Sequence, residues 1–376
     1  MTIAKGFRLA LTLLMLAAIV LPAGCSKEKE TPLQESNRWL LLLGVLPANE
    51  NTLKGAYLQD LAYLEEKTDP LSSLWYPITI NMPLFGSSPN AYTDEEWKQT
   101  LGFIQADVDQ TIYAGALPMS YYEAVHGRFS RDDVGSAART GPGNDMLEVI
   151  SYQGHEFYSW GTDTDINMSM RSNVRPLGRG HRLALVDDFI FWVRWTDGMK
   201  EMIDSYEGNI ESLADTEDYR SLAEALEELD VCCAFFSSES QSQSRVKEVY
   251  KDIVDDPANN ERRQTLVEEI QRPLLLRQYQ AFATGAGIDD KGYFMAIVLV
   301  NASEAVARDN AALLEQRISE AKNVAGIRAW SDLIQSMEIE SKGRLTTARL
   351  YGGACTYWGN FEVLGAGPYE PLLLHE

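Results

Sequence analysis

Cysteine and histidine are scarce in this sequence, with four of each among 376 residues. The cysteine spacing fits neither a zinc site nor a CxxC redox pair, and the histidines are scattered along the chain. His155 and Glu156 begin like the HExxH motif of zinc hydrolases, but Ser159 occupies the position of the second histidine. The sequence therefore gives no support to a zinc hydrolase or a thiol oxidoreductase.

Other catalytic motifs are missing as well. The chain has no GxSxG nucleophile elbow, no phosphate-binding loop and no KTG triplet. The SxxK spacing of serine acyl-enzymes occurs three times, starting at Ser26, Ser244 and Ser319, and such repetition shows how little the spacing means. We expect no cofactor, and we favour a noncatalytic protein over an enzyme.

Basic residues are fewer than acidic ones: the chain has 33 lysines and arginines and 55 acidic residues, which gives a formal net charge of −22. A surface this negative repels nucleic acids and anionic headgroups, so nucleic acid is not an expected partner. It favours cations or basic partners, or it serves only to keep the protein soluble. With 45% hydrophobic and 10% aromatic residues, the chain is rich enough in apolar side chains to build a folded core.

The first apolar run, Leu9–Val20, is too short to cross a bilayer comfortably, since a spanning helix needs about 20 residues. Lys5 and Arg8 precede this run, and small residues follow it just before Cys25. Cations, a short apolar segment and a small-residue cleavage site are typical of a secretory signal peptide. We therefore expect residues 1–24 to be removed.

The end of this leader, Leu21-Pro22-Ala23-Gly24-Cys25, resembles the lipobox of bacterial lipoproteins. It departs from that pattern at Pro22, where an aliphatic residue is usual. The resemblance implies that Cys25 carries lipid, becomes the first mature residue and holds the protein to a membrane through its acyl chains. It also implies export to the outer face of a bacterial membrane, at the cell surface or in the periplasm.

Composition divides the rest of the chain into four segments. These are a polar tether at 25–37, an α+β domain at 38–236, a polar break with a helical connector at 237–277, and a second α+β unit at 278–376. The mixture of apolar runs and amphipathic stretches predicts an α+β fold, with antiparallel sheets and flanking helices.

Local patterns place the first elements. The apolar run at 39–46 predicts a strand, and helical spacing at 53–64 predicts a helix after it. Thr93 and Ser130 have the positions of helix N-caps.

A unit made of a hairpin, two helices and a strand occurs twice in the pattern, about 100 residues apart. The first copy turns at Asp187-Asp188 and has its second helix at 219–229. The second copy turns at Asp289-Asp290 and has its second helix at 327–337. Duplication produces such an order, and so does chance, since Asp-rich hairpin turns are common.

Residues 161–181 have no periodicity and form the longest irregular stretch, where functional residues tend to collect. This stretch and the next residue carry a basic group without an acid between its members: Arg171, Arg175, Arg179, His181 and Arg182. Arginine binds carboxylates and phosphates through paired hydrogen bonds. We therefore predict an anionic ligand or an acidic partner here; the alternative is that these arginines pair with the chain's own acids.

Asp163, Asp165 and Asn167 match the first three ligand positions of a calcium-binding loop. The match then fails, because Met168 replaces the required glycine and Val174 replaces the bidentate glutamate. These three residues either form a looser calcium site or make turns in a solvated loop.

Three cysteines remain after Cys25. Cys232 and Cys233 are neighbours in an apolar strand pattern, so their side chains point to opposite faces and at most one could meet Cys355. A disulfide is compatible with an exported protein. Burial of all three as small apolar side chains is an equal alternative.

Together these observations predict a lipid-anchored extracytoplasmic envelope protein with a ligand-binding, partner-binding or structural role. The expected partners are the membrane through Cys25 and either an envelope protein or an anionic small molecule at the arginines. The alternative is an envelope hydrolase that uses a pair of carboxylates, since such a pair needs no local sequence motif.

Overall fold

The structure is a computed structural model that describes residues 37–68, 93–116, 120–141, 144–171, 178–239, 241–255, 260–361 and 370–376. Predictions for the leader, for Cys25, for the tether up to residue 36 and for Arg175 lie outside the described residues.

Within these described ranges, twelve strands form one antiparallel sheet, and two further strands form a small ribbon. The strands are β1 (Ala56–Asp60), β2 (Val108–Ala116), β3 (Ser120–Gly127), β4 (Leu147–Tyr152), β5 (His155–Trp160), β6 (His181–Val186), β7 (Phe189–Val193), β8 (Val231–Ser237), β9 (Tyr279–Asp289), β10 (Gly292–Asn301), β11 (Lys322–Asn323), β12 (Arg328–Ala329), β13 (Ile334–Lys342) and β14 (Leu345–Gly352). The order in the large sheet is β13-β14-β10-β9-β8-β1-β2-β3-β7-β6-β5-β4, and β11 pairs with β12.

Helices cover both faces of the large sheet. They are α1 (Arg38–Leu43), α2 (Leu61–Lys67), α3 (Asp94–Leu101), α4 (Arg131–Thr140), α5 (Thr196–Tyr206), α6 (Glu217–Glu228), α7 (Gln243–Val249), α8 (Lys251–Asp255), α9 (Glu261–Gln271), α10 (Glu304–Glu320) and α11 (Trp330–Leu333). One apolar core lies between the sheet and α1, α5 and α6, and another lies between the opposite face and α2, α3, α4, α10 and α11. The predicted α+β class, with antiparallel strands and flanking helices, is confirmed.

Burial on both faces explains the continuous apolar runs of the central strands. In β10, Ala296 and Val298 belong to one core, whereas Ile297 and Leu299 belong to the other. Successive side chains of a strand point to opposite faces, so a strand covered on both sides must be apolar at every position.

The beginning of the described chain corrects the sequence prediction. The apolar run 39–46 was expected to be a strand, but residues 39–43 lie in helix α1 and residues 44–46 follow it as a turn. The N-cap Asn37 accepts hydrogen bonds from the N–H groups of Trp39 and Leu40 at 2.9 and 3.1 Å. The helix expected at 53–64 is instead strand β1 followed by α2. In a short, mostly buried apolar run, the spacing of apolar residues does not distinguish a helix from a strand. The Asn37 cap therefore favours the helix here.

Both predicted hairpins form, at β6-β7 and β9-β10, but the helix expected at 327–337 is replaced by β12, the four-residue α11 and the start of β13. The sheet does contain a repetition of strand order, but its two copies begin at other strands than the predicted copies do. Outward from the antiparallel pair β1 and β8, the orders β1-β2-β3-β7-β6 and β8-β9-β10-β14-β13 correspond strand for strand. Hairpin β4-β5 extends the first half.

The described residues of the segment 237–277 include α7, α8 and α9. The strands before and after this segment, β8 and β9, pair directly within the large sheet. Whether the two sides fold as separate units stays a prediction. No helix among the described residues is long and apolar enough to cross a bilayer.

Candidate functional site

The described parts of the irregular stretch, residues 161–171 and 178–180, lie at one end of strands β6 and β7. Arg182 of β6 pairs with Val193 of β7, which brings His181 and Arg194 to the same end of the sheet. The loop is fastened there by backbone hydrogen bonds, from Thr164 N–H to the Arg194 carbonyl at 3.0 Å and from Gly180 N–H to the Asp165 carbonyl at 3.2 Å. Two of the predicted ligand residues and one unpredicted arginine therefore meet at this end.

Arg182 is buried and serves the fold. Its guanidinium lies 2.5 Å from the Asp163 carboxylate and donates to the Gly161 carbonyl at 2.9 Å and to Thr196 Oγ1 at 3.1 Å. Asp163 in turn accepts from the N–H of Thr196 at 3.0 Å, at the first residue of α5. Burial lowers the pKa of Arg182, and the Asp163 charge partly offsets this effect. The structure thus places Arg182 in an ion pair with Asp163, and its role as a ligand residue stays a prediction.

His181 is also enclosed. Its ring stacks between the indoles of Trp160 and Trp192, with centroid distances of 4.5 and 4.1 Å, and all three side chains are buried. His181 therefore shapes the support beneath the loop and does not face an incoming ligand.

Arg194 and Arg179 form the most distinctive part of this end. Arg194 is 8% exposed; its Nη2 donates to the Tyr121 hydroxyl at 2.9 Å, and its guanidinium carbon lies 4.7 Å from the Tyr121 ring centroid. Arg179 is half-buried and lies in the bridge between Ile166 and Arg179. Burial lowers the pKa of Arg179, the positive charge of Arg194 lowers it further, and Tyr121 opposes this. The two guanidinium groups thus lie within each other's electric field.

Tyr121 completes a set of donors. Burial, and next the Glu123 carboxylate, raise the pKa of Tyr121 to about 12, so its hydroxyl keeps its proton at neutral pH. Two guanidinium groups and a phenol in poorly solvated surroundings make a setting in which a carboxylate or phosphate oxygen is bound more strongly than in water. We define Arg179, Arg194 and Tyr121 as the arginine cluster.

Sequence reasoning missed Arg194 and Tyr121. Arg194 follows the apolar strand β7 directly, where a single charge looked like the end of a strand, and Tyr121 lies 73 residues away in sequence. The sequence signal that could have identified Arg194 is an arginine directly after the apolar strand β7, whose hairpin partner β6 begins with His181.

Arg171 lies exposed at the end of a short 3-10 turn, Met168–Met170. Ile166 and Met168 on the same loop are 51% and 54% exposed. The loop therefore offers apolar and cationic side chains side by side near the arginine cluster.

The three residues considered for calcium have other contacts. Asp163 binds Arg182 and caps α5, Asp165 Oδ1 accepts from the N–H of Ile166 at 2.9 Å, and Asn167 Oδ1 accepts from the N–H of Ser169 at 3.1 Å. Within the described ranges, no group of three His, Cys, Asp or Glu side chains is placed to hold a metal ion. The geometry adds no support to the calcium interpretation.

Carboxyl groups for the hydrolase alternative gather at two places. Near Arg38, burial raises the pKa of Glu227; burial would also raise that of Asp230, but hydrogen bonds from Tyr63 and Lys67 lower it. Arg38 Nε lies 3.3 Å from Glu227, so these acids hold an arginine.

The second place is a cleft of about 470 Å³ beside β13, lined in part by Glu315, Glu338 and Glu340. Glu338 pairs there with Lys291 and lies 3.9 Å from Arg349. This cleft is where the hydrolase alternative can be tested, and the hydrolase interpretation stays a prediction.

Cys232, Cys233 and Cys355 are buried free thiols. Burial raises the pKa of Cys232 to about 12 and that of Cys355 to about 11, and it raises the pKa of Cys233 well above the ordinary value. Of the two open alternatives, the structure shows small buried apolar side chains. Thiols with such pKa values are poor nucleophiles at neutral pH.

Comparison with known proteins identifies no matching family model and no matching curated protein. Among solved structures, three crystal forms of TP0453 match over most of both chains. Form III has a TM-score of 0.39 and 9% identity, and covers 84% of this chain and 96% of that chain. Form I has a TM-score of 0.38 and 10% identity, with 85% and 95% covered, and form IV has 0.40 and 10%, with 85% and 97% covered. At these values the likeness leaves the function to be argued from the residues.

Proposed function

We propose that this chain is a noncatalytic, lipid-anchored protein of the bacterial envelope that binds an anionic ligand or partner at the arginine cluster. The observation that carries the binding proposal is the contact of Arg194 with Tyr121, together with the half-buried Arg179, whose pKa is lowered by burial and by the charge of Arg194. An anion bound here would be stabilised by two guanidinium charges and by the phenol proton.

The position of the cluster also supports binding. The loop that carries Arg179 is fixed to the sheet through Asp163, Arg182 and the backbone of Arg194, so the cluster is held before a ligand arrives. A site held in place loses less conformational entropy on binding than a flexible one.

Binding is tested with inorganic sulfate and phosphate added to the purified protein at constant ionic strength, with titration calorimetry as the readout. Replacing Arg179 or Arg194 with Gln should weaken binding about tenfold or more, because a hydrogen bond to a charged group contributes about 1.5–3 kcal/mol. Arg128→Gln is the matched control, since that arginine is 70% exposed and pairs with Asp109 elsewhere on the surface. Unchanged affinity in Arg179→Gln and Arg194→Gln would remove the proposal.

The anchor is supported by the leader and its cysteine alone. Cys25→Ser should move the protein from the membrane fraction to the soluble extracytoplasmic fraction, because the acyl chains have no attachment point. Firm membrane attachment of this variant would count against lipidation, and it leaves the anion test unaffected.

A further inference from the structure

The segment Glu370–Glu376 lies against the fold in the manner of a bound peptide, far in sequence from the arginine cluster. The N–H of His375 donates to the Gln241 carbonyl at 3.2 Å, and the N–H of Glu376 donates to the Leu276 carbonyl at 3.1 Å. His375 thus forms parallel β-bridges on both sides. Strand pairing of this kind is how proteins bind extended peptides.

Arg317 of α10 holds the same segment through its backbone. The side chain is fully buried and donates to the carbonyls of Pro371 at 2.6 Å and Leu372 at 2.7 Å, and also to the carbonyl of Leu274. One guanidinium thereby joins the segment to the chain that leads into β9.

Glu370 forms the other anchor and is 1% exposed. Its Oε2 accepts hydrogen bonds from Asn323 Nδ2 and from the N–H of Val324, both at 3.0 Å. The carboxyl group therefore ties the start of the segment to the β11 region while it is removed from water.

We propose that Glu370–Glu376 is a strap that opens reversibly as a unit, and that the charge on the Glu370 carboxyl controls its opening. This proposal is independent of the anion site. It concerns a contact between two parts of the chain and predicts a conformational response to pH.

The surroundings of Glu370 fix the sign of the response. Burial raises the pKa of Glu370 to about 8; the hydrogen bond from the Val324 N–H and the nearby Trp330 indole lower it, the Glu269 carboxylate of α9 raises it, and Arg317 lowers it. Glu269 itself binds Arg272, at 2.7 Å. In the open strap the carboxyl meets water and regains its ordinary pKa of about 4.3.

Between these two pKa values the closed strap holds one proton more than the open strap. The opening constant should therefore rise about tenfold for each pH unit, and the rise should end near pH 8. His375 also lies in the strap, and burial lowers its pKa, so it acts in the opposite sense and mainly below pH 6.5.

The test is native-state hydrogen exchange of the full chain at pH 6.5 and 7.5, with rates corrected for the intrinsic effect of pH. Protection of the His375, Glu376 and Leu276 amides should fall about tenfold in the wild-type protein. It should stay constant in Glu370→Gln, which keeps the shape and cannot ionise.

Glu376→Gln is the matched control, because it removes a carboxyl of the same segment that pairs with Arg277 at the surface. This variant should keep the wild-type pH response. An equal fall in Glu370→Gln would overturn the proposal, and so would an equal loss of protection in the amides of β6 and β7, since that would mean opening of the whole fold.

Discussion

Arginine occurs in two contrasting settings in this fold. At the middle of the sheet, Arg38 lies among acids: its guanidinium is 3.3 Å from Glu227, 3.8 Å from Asp60 and 3.7 Å from Asp230. At the end of β6 and β7, by contrast, Arg194 contacts the hydroxyl and ring of Tyr121, and its charge depresses the pKa of Arg179.

The contrast separates a structural arginine from a candidate ligand site. The chain has a large surplus of acidic residues. At Arg38, where an arginine holds strands β1 and β8 together, three of these acids surround the guanidinium group. At the arginine cluster, burial and the charge of Arg194 lower the pKa of Arg179, and burial and the Glu123 carboxylate raise the pKa of Tyr121. Perturbed pKa values in neighbouring groups are typical of functional sites, which favours a functional explanation of the cluster.

The largest expected effect is on stability at Arg38. Arg38→Met should lower the free energy of unfolding by about 2–3 kcal/mol, because it leaves the nearby carboxylates without their cation. Urea denaturation measures the change. Lys54→Met is the control, since Lys54 pairs with Glu50 in an exposed position and should cost less than about 1 kcal/mol.

The acids around Arg38 give this prediction a second readout. The loss should shrink as pH falls, first as Glu227 is protonated, because burial raises its pKa, and later as Asp230 is protonated, because hydrogen bonds from Tyr63 and Lys67 lower its pKa. A small loss at neutral pH, or a loss independent of pH, would contradict the structural role of Arg38.

A smaller effect on stability is expected at Asp163. This acid pairs with an arginine, as the acids around Arg38 do, but it lies in the loop of the candidate site. Asp163→Asn should cost about 1–2 kcal/mol, since Arg182 loses its ion pair but keeps the Gly161 carbonyl and Thr196 Oγ1 as acceptors. It should also weaken sulfate binding, because the loop that carries Arg179 is less firmly held. Urea denaturation and calorimetry measure the two effects.

Asp165→Asn provides the comparison for Asp163. Asp165 lies in the same loop, but its side chain accepts a local hydrogen bond from the Ile166 N–H. Its replacement should change stability by less than about 0.5 kcal/mol. If both variants behave alike, Asp163 does not position the site.

The sequence predicted the features that depend on neighbouring residues. Thr93 caps α3 with a complete capping box, Ser130 caps α4, and the turn at Asp187-Asp188 joins β6 to β7. Each of these depends on side-chain and backbone groups a few residues apart, which a linear pattern records.

Features that depend on contacts between residues far apart in the chain could not be predicted from the sequence. Residues 39–43 form a mostly buried helix, and the amino acids of the run 39–46 suit a buried strand equally well. At the site, the ion pair between Arg182 and Asp163 joins residues 19 positions apart, which a linear pattern does not record. Arg194 gains its meaning from Tyr121 on a neighbouring strand, and only the pairing of β3 with β7 brings them together.

The smallest expected effect is that of pH on sulfate affinity at the arginine cluster, which differs from the effect of pH on stability near Arg38. Sulfate keeps its charge above pH 3, arginine stays protonated, and Tyr121, with a pKa of about 12, stays neutral, so affinity should vary less than about twofold from pH 6 to 9. Near Arg38, burial raises the pKa of Glu227, so the contribution of the Glu227 carboxyl itself to stability falls as pH rises from about 4.3 towards that raised value. Calorimetric titration across this range checks the first expectation. A steep fall in affinity between pH 6 and 8 would show that a histidine, and not the arginine pair, carries the anion.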